Sequence, residues 1–282
     1  MSDHAGEAAQ IRFSVVIPAL DERDYLGATL ASLTAQEFDG PVEIIVVDNG
    51  STDGTAELAA RRGARVLHEP RRGVCAARQR GTAAARGEIV VSTDADTTHP
   101  TDWLSRIDRR FRATPGAMAV AGPCRYASPP WWAALFPPLW FAGLGLVNRL
   151  CGWVGYLSAT NVAFLREGFP GYDITLTQGG DEVDLLRKLR RRGRVVWDPT
   201  IVVSTSSRRM NQGLAYTIVV SYGYHYAFTY LLNRVSKGAL GAPAPAIRQA
   251  DSQHVRRRRE IWRIGTLAAI AALIAVRVRG RN

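Results

Sequence analysis

Short, uninterrupted apolar runs recur along the first half of the chain, and each stops at a polar turn. Phe13-Ser14-Val15-Val16-Ile17 stops at Pro18, Ile44-Ile45-Val46-Val47 at Asp48-Asn49-Gly50, and Ile89-Val90-Val91 at a turn holding Asp94 and Asp96. Runs apolar at successive positions, not alternate ones, fit strands buried on both faces. Between them lie segments of helical character: Leu26, Leu30 and Leu33 at helical spacing, then Ala56 to Arg62, then Cys75 to Ala85. Ala64 to Leu67 adds another strand. The alternation predicts an α/β fold with a mostly parallel, Rossmann-like sheet flanked by helices. Such sheets bind ligands beyond the carboxyl ends of their strands. Asp21/Glu22, Asp48/Asn49 and Asp94/Asp96 all fall there.

Asp94 and Asp96, one residue apart at a strand tip, point to the same side and repel unless a cation lies between them. Hard divalent cations take a few carboxylate oxygens together with phosphate oxygens. The alternative is a plain turn, with Asp96 or Thr97 capping the next helix before His99-Pro100. After the second strand, Asp48 can accept a hydrogen bond from a nucleobase edge, and Ser51 or Asp53 can cap the following helix. Asp21 or Asp24 can cap the first helix. Arg71, Arg72, Arg78 and Arg80 either offset phosphate charge or form a solvated helix face.

The formal net charge is +11 over 282 residues. A basic surface suits nucleic acid, anionic lipid or a phosphorylated ligand. Only Lys188 and Lys237 are lysine, so part of the charge reflects an arginine-rich composition. The three cysteines, Cys75, Cys124 and Cys151, have no metal or redox spacing. The first 12 residues are polar, unlike a secretory signal, which favours a cytoplasmic start.

Four blocks carry a resemblance. VVIPALDE at 15–22, VVDNGSTDGT at 46–55, RRGVCAARQRGTAAARGEIVVSTDADTTHP at 71–100 and GGDEVDLLRKLRRRG at 179–193 resemble, in order, the family 2 glycosyltransferases of the GT-A fold. The resemblance implies a hexosyltransferase that takes a UDP- or GDP-sugar, uses Mg²⁺ or Mn²⁺ and inverts the anomeric carbon. It implies that Pro18, Ala19 and Glu22 line the nucleoside pocket. Asp48, with Asn49 and Ser51 beside it, contacts the base. Gly73 and Arg78 belong to the segment that closes over the donor. Asp94, followed by Ala95, faces the ribose or diphosphate, and Asp96 binds the metal, with Asp94 the second candidate ligand. Three residues depart from the pattern: Asn49 replaces an acid, Asp21 stands where Asn is common, and Gln79 replaces a frequent Asn.

In the second half, Asp102 to Phe111 reads as a helix, Ala117 to Ala121 as a strand, Ser158 to Leu165 as a strand and Val195 to Trp197 as a last strand. Trp131 to Leu157 is apolar and rich in tryptophan, fitting either a lipid interface or a core; Pro137-Pro138, Asn148 and Arg149 break it too much for a spanning helix. Asn161 and Arg166 fit the family's acceptor-side strand. A helix begins within Thr177 to Asp184, where acids suit its positive end. Leu185, Leu186 and Leu189 form its buried stripe, which Glu182 shares, while Asp181 groups with Asp184 and Lys188. By the resemblance Glu182 aligns with the catalytic base, and Asp181 is the alternative. The family's later histidine is replaced by Val203 to Arg209, whose serine and arginine pairs could bind diphosphate. Beyond Met210 lie the tyrosine-rich apolar stretch 215–232, a Gly/Pro/Ala linker at 238–246, the basic run 254–259 and the apolar segment 264–276. That last segment is shorter than the roughly 20 residues a spanning helix needs and suits an interfacial helix at anionic lipid.

The implied organisation is a flexible N-terminus (1–11), a nucleotide-sugar-binding half (12–125), an acceptor-binding half (126–209) and a helical, membrane-associated extension (210–282). The implied function is sugar transfer to a hydroxyl of a lipid-linked or glycan acceptor. The location is the cytoplasmic membrane face, peripheral or shallowly anchored through the C-terminus. Two alternatives stand beside it. Asp94-Ala95-Asp96 followed by His99-Pro100 also resembles polyprenyl-phosphate glycosyl synthases, whose phosphate acceptor needs no base. A basic nucleic-acid-binding α/β protein would explain the charge, but not acids at three strand ends, so no nucleic-acid partner is expected.

Overall fold

A computed structural model describes residues 10–176 and 181–217, all within one packed unit. In chain order the elements are β1 (Phe13–Ala19), α1 (Arg23–Thr34), β2 (Val42–Asp48), α2 (Thr55–Arg61), β3 (Arg65–His68), α3 (Val74–Ala84), β4 (Ile89–Ser92), β5 (Thr97–Thr98) and α4 (Trp103–Ala113). There follow β6 (Ala117–Ala121), β7 (Cys124–Ala127), α5 (Trp131–Ala134), α6 (Phe136–Cys151), β8 (Val162–Leu165), α7 (Asp181–Arg190), β9 (Arg194–Trp197), β10 (Val203–Ser206) and a 3-10 turn, Met210–Gln212.

Seven strands form one sheet in the order β3-β2-β1-β4-β8-β6-β9. The first four are parallel, β8 is antiparallel to both neighbours, and β6 pairs parallel with β9. The expected mostly parallel sheet is present. β1 shows why the apolar runs are unbroken: Phe13, Val15 and Ile17 face one layer, Val16 the other. The first layer holds Leu26, Leu30 and Leu33 of α1 with Trp103, Leu104 and Ile107 of α4. The second holds Cys75 and Ala77 of α3 with Leu185, Leu186 and Leu189 of α7. Burying each large side chain contributes about 1.5–3 kcal/mol. Gly81 lets α3 approach the sheet: a Cβ there would lie 2.4 Å from Val16 Cγ1.

A small second sheet, β5-β10-β7, lies beside the end of β4. β10 runs antiparallel to β5, and the Ser206 N–H donates to the Asp96 carbonyl (3.1 Å). This pairing ties the chain after β10 to the Asp94–Asp96 turn.

Four local expectations change. Neither Asp21 nor Asp24 caps α1: the Arg23 N–H donates to Asp53 Oδ2 (3.1 Å) and the Glu22 N–H to Thr55 Oγ1 (2.8 Å), so the cap comes from the loop after β2. Asp21 instead adopts φ 56° and accepts from the Thr52 N–H (2.8 Å). Neither Asp96 nor Thr97 caps α4, because β5 intervenes and the helix starts at Trp103. Trp131–Cys151 is not broken as the prolines suggested. Its 21 residues are helical except for a bend at Leu135, long and apolar enough to cross a membrane by length and composition, and only 12% of the apolar 18-residue window is buried. Pro137-Pro138 fall in the first turn of α6, where a missing N–H costs nothing. The Ser158–Leu165 strand is observed only as Val162–Leu165; residues 158–161 are a loop. Thr177 to Gly180, the stretch 218–232, the linker 238–246, the basic run 254–259 and the segment 264–276 lie outside the described residues.

Candidate active site

The strand order places the three polar turns side by side, because β2, β1 and β4 are neighbours and parallel. At the tip of β2, Asp48 is buried; its Oδ1 accepts from the Ser51 N–H (3.1 Å) and its Oδ2 lies 3.2 Å from His68 Nδ1. Ser51 Oγ accepts from the Asp21 N–H (2.9 Å), tying this turn to the end of β1, where Pro18 and Ala19 lie. Asn49 is a hub. Its amide nitrogen donates to the Glu69 and Arg71 carbonyls (2.8 Å each), and its oxygen accepts from the Gly73 N–H (2.9 Å) at the start of α3. A carboxylate has no N–H to donate, so the departure at Asn49 has a structural reason.

At the tip of β4, the Ala95 carbonyl accepts from Thr29 Oγ1 (2.8 Å), which holds the turn against α1. The acids on either side have different company. Asp94 receives Arg78 Nη2 (2.8 Å) on one oxygen and the Thr160 hydroxyl on the other. Asp96 faces Arg208 Nη2 (3.1 Å) and Thr205 Oγ1 (3.3 Å). Arg208 also grips Glu22 with both terminal nitrogens (2.7 and 2.5 Å). Burial pushes the Asp96 carboxyl above the usual range; Arg208 opposes this and Asp94 adds to it. Glu22 is raised for the same first reason, with Asp96 and Asp94 contributing. Glu22, Asp94 and Asp96 therefore form one crowded anionic cluster.

Arg78 is buried at the floor. Its other terminal nitrogen lies 2.9 Å from Asp181 at the start of α7, so the third turn and α7 share a guanidinium. Next to Asp181, Glu182 accepts from the Tyr156 hydroxyl, Ser158 Oγ (3.2 Å) and the Ala159 N–H (2.9 Å). Burial and the neighbouring Asp181 charge raise its carboxyl to about 7, against the pull of those donors. Glu182 also borders a groove of about 420 Å³, lined by Trp153, Tyr156, Val183, Leu186 and Arg190.

Three residues absent from the sequence expectations, and Arg208, which those expectations offered for diphosphate, complete this arrangement. Thr160, Ser158 and Tyr156 come from the loop before β8, and Arg208 from beyond β10. The loop has no motif, whereas Arg208 belongs to the Val203 to Arg209 run whose serine and arginine pairs the sequence offered for diphosphate. Asn161 serves the scaffold, accepting from Trp103 Nε1 (3.0 Å) and donating to the Pro123 and Ile201 carbonyls (2.9 and 2.7 Å). Among the candidate arginines, Arg72 braces the Asn49 carbonyl (2.8 Å), while Arg71 and Arg80 are exposed. His99 is buried against Trp103, its ring nitrogens beside Ser32 and Thr93, and burial lowers it to about 3.

The donor set suits a hard divalent cation. Asp96 and Glu22 offer carboxylate oxygens and share an organic cation, the Arg208 guanidinium, between them. Among the described residues no three His, Cys, Asp or Glu side chains could hold an ion together. The protein would thus supply one or two carboxylates, leaving the other positions to water and ligand phosphate, as Mg²⁺ commonly accepts.

Comparison with known proteins bears on the fold and the family. An uncharacterized glycosyltransferase of Mycobacterium tuberculosis is 45% identical over 92 residues, 33% of this chain. The match spans 38% of that relative's own length. A mannosyltransferase from Pyrobaculum calidifontis, solved with GDP-Man and Mn²⁺, superposes with a TM-score of 0.63 at 23% identity, over 83% of this chain and 67% of its own. Glucosyl-3-phosphoglycerate synthase from Mycobacterium tuberculosis, solved with Mn²⁺, UDP-glucose and phosphoglyceric acid, gives 0.54 at 25% identity, over 72% and 74%. The fold is thus that of the GT-A enzymes. The model of the family described as Glycosyl transferase family 2 matches residues 14–169, more than half of the chain, and the protein belongs to that family.

Proposed function

We propose that the chain is a divalent-cation-dependent, inverting hexosyltransferase. It would move a sugar from a UDP- or GDP-sugar to a hydroxyl of a lipid-linked or glycan acceptor at the cytoplasmic membrane face. One observation carries this reading: Arg78 joins Asp94, at a strand tip of the donor side, to Asp181, next to Glu182. A hydroxyl must lose its proton as its oxygen bonds to the anomeric carbon. Glu182 takes that proton while the bond to the diphosphate breaks on the opposite side, inverting the centre. A carboxyl raised to about 7 is matched to this work. Asp181, paired with Arg78, holds the floor. Asp48 and its turn, with Pro18, Ala19 and Ser51, form the nucleoside end, and Gly73 begins the helix that carries Arg78. The cation, when bound, stabilises the leaving diphosphate.

The outward apolar face of α6 favours a second reading in which the acceptor is a polyprenyl phosphate. Leu139, Trp140, Leu146 and Leu150 are all exposed there, as is Leu135 just before the helix. Such an acceptor is already ionised and needs no base. The deciding experiment begins with thermal shift against UDP- and GDP-sugars with and without Mn²⁺, followed by label transfer to lipid phosphates, lipid-linked sugars and soluble glycans. Glu182→Gln should keep donor binding and lose transfer. Undiminished transfer to a lipid phosphate by Glu182→Gln would select the second reading, and no transfer from any nucleotide sugar would sink both.

A further inference from the structure

Arg208 is 186 positions from Glu22, yet its guanidinium lies flat against that carboxylate, with Nη1 2.7 Å from Oε2 and Nη2 2.5 Å from Oε1. The same Nη2 stands 3.1 Å from Asp96 Oδ2. The carbon of the guanidinium lies 4.6 Å from the centroid of the Tyr25 ring, so the group has a cation–π face as well as a hydrogen-bonded edge. Arg78 serves Asp94 and Asp181 in the same cluster, whereas Arg208 serves Glu22 and Asp96. Burial would lower the Arg208 pKa, but the Glu22 hydrogen bonds and the Asp96 charge raise it, so the group is a permanent cation.

A metal ion on Asp96 would sit about 2 Å from its oxygen. It would then share one carboxylate with a guanidinium at hydrogen-bond distance. Like charges that close repel strongly in a partly buried site. Metal alone would have to displace Arg208 from two carboxylates and give it nothing in return. Metal arriving with a nucleoside diphosphate brings phosphate oxygens, which a guanidinium binds in the same two-pronged way.

We infer that Arg208 is a cation surrogate: it occupies the seat at Glu22 and Asp96 until a divalent cation and a nucleoside diphosphate enter together, and it then transfers to the diphosphate. The inference rests on the reading of Asp96 as a cation ligand. It assigns Arg208 to the donor site and makes binding of metal and nucleotide strongly cooperative.

The test is Mn²⁺ binding to the full chain, followed by the electron paramagnetic resonance signal of free Mn²⁺. Without nucleotide, Arg208→Met should bind Mn²⁺ more tightly than wild type by about tenfold or more, the scale of one close charge pair. Arg208→Lys, which keeps the charge and loses the fork, should fall between. With saturating UDP or GDP the wild type should tighten sharply and Arg208→Met much less. Should Arg208→Met not fold, wild type alone still decides by thermal shift: Mg²⁺ alone should leave its Tm unmoved, and Mg²⁺ with UDP or GDP should raise it.

Mn²⁺ binding by Arg208→Met no tighter than wild type would overturn the inference, as would equal Mn²⁺ affinity of wild type with and without nucleotide. These binding readouts need no sugar transfer. Failure of all transfer with Arg208 exchange intact would therefore remove the enzymatic reading and leave this one standing.

Discussion

Asp94 and Asp181 share one guanidinium. Arg78 Nη2 lies 2.8 Å from Asp94 and Nη1 2.9 Å from Asp181, and the arginine side chain is 5% exposed. This contact makes the turn after β4 and the start of α7 a single unit. Removing the arginine leaves two acids uncompensated, whereas removing one acid leaves the other paired.

Arg78→Met should therefore destabilise the fold by about 3 kcal/mol, the usual scale for breaking a buried ion pair from one side. Adding Asp181→Asn should recover part of the loss, because the pair is coupled. Urea denaturation of the single and double variants measures both effects. A double variant less stable than Arg78→Met would contradict the shared-guanidinium account.

The Glu182 carboxyl, raised to about 7, sets a pH dependence for activity and for stability. A base must be ionised, so kcat/KM should rise with pH through a limb near 7. The Tyr156 hydroxyl donates to Glu182 and favours its charged form, so Tyr156→Phe should move that limb to higher pH. For folding, the native carboxyl keeps its proton up to about 7, and the unfolded one releases it near 4.5. The native state therefore binds more protons between those values. This contribution is fully present below 4.5 and is lost as pH rises through 7. Glu182→Gln should abolish that slope, so its stability relative to wild type should be greater at pH 8 than at pH 4.5. Urea midpoints at the two pH values are the readout.

Asn49→Asp should destabilise the protein by about 1–3 kcal/mol at neutral pH, since a buried carboxylate would face two carbonyls that now receive N–H groups. Acid should lessen the penalty, because a protonated carboxyl can donate to one of the carbonyls. Thermal melts of both proteins at neutral and acidic pH measure it.

Asp96→Ala should remove Mn²⁺-stimulated sugar transfer by about 100-fold or more, since a cation supplies several kcal/mol to a leaving diphosphate. The variant should remain folded, because Arg208 keeps both hydrogen bonds to Glu22. Circular dichroism together with label transfer checks the pair of expectations, and unreduced metal-stimulated transfer would remove Asp96 from the metal role.

Much of this architecture is local and readable as such. The runs at 13–17, 44–47 and 89–91 are apolar at successive positions because both sides of β1, β2 and β4 meet helices. Their alternation with helices specifies strands ending in polar turns, and the motif blocks specify the family. The pairing of neighbours is not local. Nothing in a single turn states that β2, β1 and β4 are adjacent, and only that order gathers Asp48, Glu22 and Asp96 at one edge. Misread details share a cause. The α1 cap comes from Asp53 and Thr55 across the sheet edge, where sequence proximity suggested Asp21 or Asp24. Pro137-Pro138 looked like a break, but the backbone uses them to start a helix.

The strands, the acids at their tips and the family are written into local sequence, because period, turn chemistry and motif are properties of a few consecutive residues. Which positive charge meets which acid depends on long-range packing. Arg78 lies 103 positions from Asp181, and Arg208 lies 186 from Glu22. Such partners are chosen by the sheet order and by β10 pairing with β5, not by any local pattern. Glu182 was legible as a carboxylate on a helix, but its elevated pKa came from burial beside Asp181 under the loop at 156–159.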